Sequence, residues 1–161
     1  MDILGLMRDE EDAILGEALP AVAWLEHYGR DGEERARERL EVLHRLVVRA
    51  IRERDLGELL AHARRIARER HAAGYDRAEV QRAFTALEEA IWHRARTRLP
   101  AAERAWGLGL VGTALAHAKD ALSAAFAELV PSAQTAYVDL TPIFRGADGR
   151  GRPAEDLVYP V

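Results

Sequence analysis

The sequence predicts an all-α fold: a helical domain of five or more helices followed by a short non-helical tail. Three observations carry this. Apolar residues recur three or four apart in long stretches, and no stretch before residue 131 alternates with a period of two. Asp, Gly and Pro stand where those stretches begin and end. The 161 residues, 48% of them hydrophobic, suffice for one core of ordinary size.

The elements follow in chain order. Asp9 is placed to cap a helix over 9–29, and the acids after it suit the positive end of a helix dipole. Pro20 breaks that helix and restarts it, since proline fits a first helical turn better than an interior. Gly29, Asp31 and Gly32 form a turn. Over 33–55, Ala36, Leu40, Leu43, Val47, Ala50 and Ile51 share one face. Asp55 and Gly57 mark a break, after which Leu56, Leu59, Leu60, Ala63, Ile66 and Ala67 continue a similar stripe to about Ala73. Gly74 then serves as a C-terminal cap.

The clearest helix start is Asp76 followed by Glu79, a capping box with Asp in the capping place. Val80, Phe84, Leu87 and Ile91 form the next stripe, to about Arg98. Pro100 opens a last helix that runs to about Val130, where Pro131 ends it. Leu108, Val111, Leu115, Ala118, Leu122, Phe126 and Leu129 line one side of it. Trp106, Leu110 and His117 lie more than about 100° around the helix at 3.6 residues per turn. A helix that is apolar on two sides should be central or should face a partner. The chain thus divides into a helical domain, 1–130, and a tail, 131–161. The tail holds two short extended candidates, Tyr137–Leu140 and Leu157–Tyr159, around a Gly/Arg/Pro-rich loop. It reads as an extended or hairpin-like arm docked on a partner, or as a free end.

Composition excludes several functions. With no Cys there is no disulfide, no Cys-ligated metal and no thiol nucleophile. The apolar runs are too interrupted for a membrane span of ~18 residues. The acidic segment at residues 1–12 lacks the basic region of a secretory signal, so a cytoplasmic protein is expected. The net charge of −4 hides a dipole: residues 1–33 carry −7 and residues 34–70 carry +4. The basic part interleaves Arg with Glu, which suits a solvated helix face rather than a nucleic-acid footprint.

Each candidate site has a plain structural reading beside it. Gly107-Leu108-Gly109-Leu110-Val111-Gly112 matches a dinucleotide fingerprint, but no strand precedes it. Three glycines in a helix instead point to a close helix–helix crossing, within the subunit or across a dimer. The six His form neither H-x-x-x-H nor H-E-x-x-H, so no metal site is expected. His62 and His93 fall on polar sides of their helices, and His44 borders an apolar stripe as a satisfied boundary residue. Trp24, Trp92 and Trp106 read as core or interface residues. Ser123 and Ser132 lack a nucleophile's surroundings, and no catalytic residues are assigned. A homodimer is expected, with Trp106, Gly109, Leu110, Thr113 and His117 of the last helix at its interface.

Three stretches carry a family resemblance. They are Leu43-His44-Arg45-Leu46-Val47-Val48-Arg49-Ala50-Ile51-Arg52-Glu53-Arg54-Asp55, then Gly74 to Phe84 leading into Leu87–Ile91, and Ala114 to Leu122. Together they resemble the N-terminal sensor domain of RsbR-type regulators, the RsbT co-antagonists of bacterial stressosomes, over about residues 10–130. The resemblance implies a haem-free, globin-like domain that dimerises and signals in a stress response without enzymatic activity, passing its signal to a downstream regulatory protein. The family's STAS output domain is not matched: only about 30 residues follow the sensor-like part, so the co-antagonist role is not carried over. The globin likeness raises one alternative, a haem- or small-ligand-binding protein. A haem would need an axial His facing an apolar slot, for which His62, His71 and His93 are placed mid-chain.

Overall fold

A computed structural model describes residues 1–130, and they are helical throughout. Seven helices appear among them and no strand: α1 Ile3–Asp9, α2 Glu11–Ala23, α3 Glu26–Asp31, α4 Glu33–Glu53, α5 Gly57–Ala72, α6 Arg77–Arg98 and α7 Ala101–Glu128. None is long and apolar enough to cross a membrane. The tail over 131–161, with its two extended candidates, lies outside the described residues.

The first 32 residues depart most from the sequence reading. Asp2, not Asp9, caps the first helix, its carboxylate accepting from the Gly5 amide at 2.8 Å. Asp9 is the last residue of α1 instead. Pro20 lies inside α2 rather than opening a new helix. It sits in the last turn, where its missing N–H removes a single bond and few residues follow to be misdirected. The break comes at Trp24 and Leu25. Gly29 and Asp31, expected in a turn, belong to the short α3, and Gly32 turns the chain at φ +97°.

From residue 33 the reading and the structure agree closely. The stripe of α4 is buried at Ala36, Leu40, Leu43, Val47 and Ala50. The chain breaks at Arg54, in the left-handed region at φ 53°, so 33–73 is two helices. Gly74 ends the turn after α5 at φ +91°, as a C-terminal glycine should. Asp76 caps α6, accepting from the Glu79 amide at 2.8 Å.

The core centres on α2, which packs between α6 and α4. Ile14, Leu15 and Val22 of α2 are fully buried with Leu6, Met7, Phe84, Leu87, Ile91, Leu115 and Leu122. Ion pairs lie around this packing. Glu10 meets Arg94 and Arg98, Glu11 meets Arg45, Asp12 meets Arg37, and Glu17 meets Arg94. The charge dipole along the sequence is thus folded back on itself: the acids of α2 lie against the cations of α4 and α6. Each exposed pair contributes about 0–1 kcal/mol.

The glycines of α7 play different parts. A Cβ at Gly107 would stand 2.6 Å from Cβ of Ile3 in α1, so this glycine lets the two helices meet. Gly109 is exposed and a Cβ there would meet nothing. Within the subunit, the close crossing anticipated for the glycine run is confined to Gly107. Gly107→Ala should cost about 1–3 kcal/mol through overpacking against a branched side chain. Gly109→Ala should gain about 0.5–1 kcal/mol by restricting the unfolded chain. Urea denaturation of the two variants checks the pair of signs.

Candidate functional site

The polar centre of the molecule is the carboxylate of Glu79, on the first turn of α6. Its sequence setting predicts a capping-box partner for Asp76, but the side chain is turned away, toward α3. One oxygen accepts from the backbone amides of His27 at 2.6 Å and Tyr28 at 3.2 Å. The other lies 2.7 Å from Nδ1 of His27. α3 has no side-chain cap of its own. A buried anion from a residue 52 positions away thus satisfies amides that the short helix leaves open at its positive end.

With α3 fixed, Tyr28 and Asp31 are fixed too. Tyr28 is buried, and its ring meets Tyr75 edge-on at 5.1 Å. The Tyr75 hydroxyl donates to the Asp31 carboxylate and accepts from Nη1 of Arg39 at 2.7 Å. Arg39 also pairs with Asp31 at 3.1 Å. The Tyr75 hydroxyl, and then Arg39, hold the Asp31 carboxyl below the usual carboxylate range. Burial pushes the Tyr28 phenol up to about 12, against the opposing charges of Arg70 and Arg39.

This cluster forms one end of a half-open cavity of about 310 Å³ between α4 and α5. Leu43, Ile66 and Phe84 supply apolar wall. Arg39 and Arg70 lie beside the two tyrosines, with Arg39 5.6 Å and Arg70 5.9 Å from each ring centre. Arg35, Arg65, Glu38 and Glu69 stand at the exposed rim. Arg70 differs from the others. It is 8% exposed, and among the described residues no carboxylate pairs with it and no acceptor bonds to its guanidinium.

His62 lines the same cavity, although its helix position reads as polar. It falls on the buried stripe Leu59, His62, Ala63, Ile66, Ala67 and Arg70. The arginine of its own helix, Arg65, donates to its Nδ1 at 2.8 Å, which assigns the imidazole as neutral with its proton on Nε2. His44 is deeper than the boundary position expected of it. It is fully buried, its Nε2 donates to the Met7 carbonyl at 2.9 Å, and its Nδ1 has no partner. His71 and His93 are exposed, His93 beside Glu17. Among the described residues, no three His, Asp or Glu side chains gather as a metal site would require.

The residues singled out for a dimer interface share one open face of α7. Trp106, Gly109, Thr113 and His117 are exposed and Leu110 is half-buried. Trp106, Leu110 and Thr113 border a groove of about 620 Å³, whose other walls come from α1, from the end of α4 with Ile51, and from Leu56 before α5. None of the three tryptophans belongs to the core: Trp24, Trp92 and Trp106 are 68%, 44% and 67% exposed. Comparison with protein-family models, with curated proteins and with solved structures returned no match.

Burial, followed by the charge of Arg65, lowers the His62 pKa from 6.5 to about 4. Between these values the unfolded chain binds the extra proton and the fold does not, so stability falls as pH drops from 6.5 to 4. The loss should be on the order of 3 kcal/mol. His62→Gln should flatten this part of the stability profile, read by urea denaturation across that pH range.

Proposed function

We propose that this chain is a non-enzymatic regulatory module, a helical domain that self-associates through α7 and signals by protein contacts. The observation that carries the reading is the open face of the longest helix. A tryptophan 67% exposed stands beside an exposed glycine and a half-buried leucine, bordering an apolar groove. Large exposed aromatic surface next to a concavity is typical of interfaces, where Trp supplies a disproportionate share of the binding energy. The resemblance to the stressosome sensor domains agrees with this reading and supplies its context, a bacterial stress response.

A second copy is the proposed occupant because the face can complement itself. Trp106 projects beside a groove that its own helix borders, so a two-fold axis near Gly109 would bring each Trp106 toward the partner's groove. Exposed Gly109 and Thr113 would permit close approach of the two helices there. A second reading, a small-ligand-binding module, is favoured by the cavity beside Arg70.

Sedimentation of the wild type and of Leu110→Arg tests the self-association. The wild type is expected to be a dimer at micromolar concentration. The variant places a charge in the apolar face and should weaken the dimer by about 30-fold or more, the scale of a hot-spot loss. A monomeric wild type would sink the proposal.

A further inference from the structure

We propose that the cavity between α4 and α5 is a binding site for a small organic monocarboxylate with an apolar body, its carboxylate held by Arg70. The inference is independent of self-association through α7.

The first argument is charge. Arg70 is buried, and a guanidinium stays protonated in proteins. Taking such a charge out of water costs several kcal/mol unless a partner and hydrogen bonds offset it. Among the described residues no neighbour supplies a direct ion pair or hydrogen bond to it. Two guanidinium groups, of Arg39 and Arg70, flank the Tyr28–Tyr75 pair, and the two carboxylates of the cluster are engaged elsewhere: Asp31 by Arg39 and the Tyr75 hydroxyl, Glu79 by His27 and the amides of α3. Glu69 and Glu38 are exposed at the rim and neither forms an ion pair with Arg70. The faces of Tyr28 and Tyr75 offer cation–π attraction, but at 5.9 Å this leaves every N–H of the fork without an acceptor. Arg70 is therefore left without a direct counter-ion, and its unpaired donors border the cavity.

The second argument is shape. Ligand sites are concave, mostly apolar and fitted with a few fixed polar groups, and their volumes start near 300 Å³. The cavity's 310 Å³ suits a small molecule. Leu43, Ile66 and Phe84 would cover an apolar body, while a single planar fork at Arg70 matches a carboxylate in two parallel hydrogen bonds. The apolar walls favour an organic acid over a free inorganic anion. A single fork without a direct counter-ion favours a monoanion.

Burial lowers the pKa of Arg70, the Arg39 charge adds to this, and the nearby Tyr28, Tyr75 and Glu69 oppose it. A bound carboxylate would relieve that cost, so the ligand should stabilise the fold as well as bind it.

Benzoate is the probe, with benzamide as its neutral isostere and inorganic phosphate as an anion without an apolar body. Titrations of the full chain are followed by methyl and amide chemical shifts. Benzoate should move the signals of Leu43 and Ile66 saturably, and benzamide and phosphate should not. Arg70→Lys, which keeps the charge but not the fork, should bind benzoate about 10- to 100-fold more weakly, the loss of a charge-assisted bidentate contact. Arg70→Met should abolish binding and, in the absence of ligand, be at least as stable as wild type. If benzamide binds as tightly as benzoate, or phosphate displaces it equally well, the assignment is wrong. It is also wrong if no saturable shift occurs at millimolar benzoate. The wild-type titrations stand whether or not either variant folds.

Discussion

One carboxylate organises the polar half of this molecule. Glu79 leaves α6 and enters the N-terminal end of α3, where it meets two backbone amides and an imidazole nitrogen. A helix of six residues has little stability of its own, because nucleation costs more than one turn returns. α3 persists because an anion from elsewhere in the chain supplies the cap that Leu25 cannot. The carboxylate in turn is tolerated in a buried place because three donors face it. Neither partner would be stable as found without the other.

The consequences run outward from that bond. Holding α3 holds Tyr28 against Tyr75 and Asp31 against Arg39. These contacts close one end of the space between α4 and α5, and Arg70 is left facing it without a counter-charge. A second feature lies on α7. There an exposed tryptophan borders a groove whose apolar wall, with Ile51, Leu56 and Leu110, is edged by charged residues such as Arg52 and Glu103. The molecule thus carries an arginine-lined cavity between α4 and α5 and a separate groove beside an exposed tryptophan on α7.

Much of the scaffold was legible in the sequence. The stripes of α4, α6 and α7, the break near Asp55, the Gly74 turn and the Asp76 cap all depend on local periodicity and local backbone chemistry, which neighbouring residues encode. The first 32 residues were harder, because short helices obey tertiary contacts more than propensity. The cap of α3 comes from residue 79, and no local pattern announces it. The open face of α7 followed from its two-sided apolar pattern. The cavity did not, although a signal existed: His62 and Arg70 stand at three- and four-residue spacings among Leu59, Ala63, Ile66 and Ala67. A histidine and an arginine in register with an apolar stripe point to a polar feature inside the fold. Treating the stripe as apolar residues alone hides them.

Glu79 holds α3 in place and thereby shapes the cavity. Amide hydrogen exchange at His27 and Tyr28 tests it most directly, comparing the wild type with Glu79→Ala. Both amides should be protected in the wild type and should lose that protection in the variant, while the amides of the α4 interior keep theirs. Protection at His27 and Tyr28 that survives the substitution would mean that α3 does not depend on Glu79.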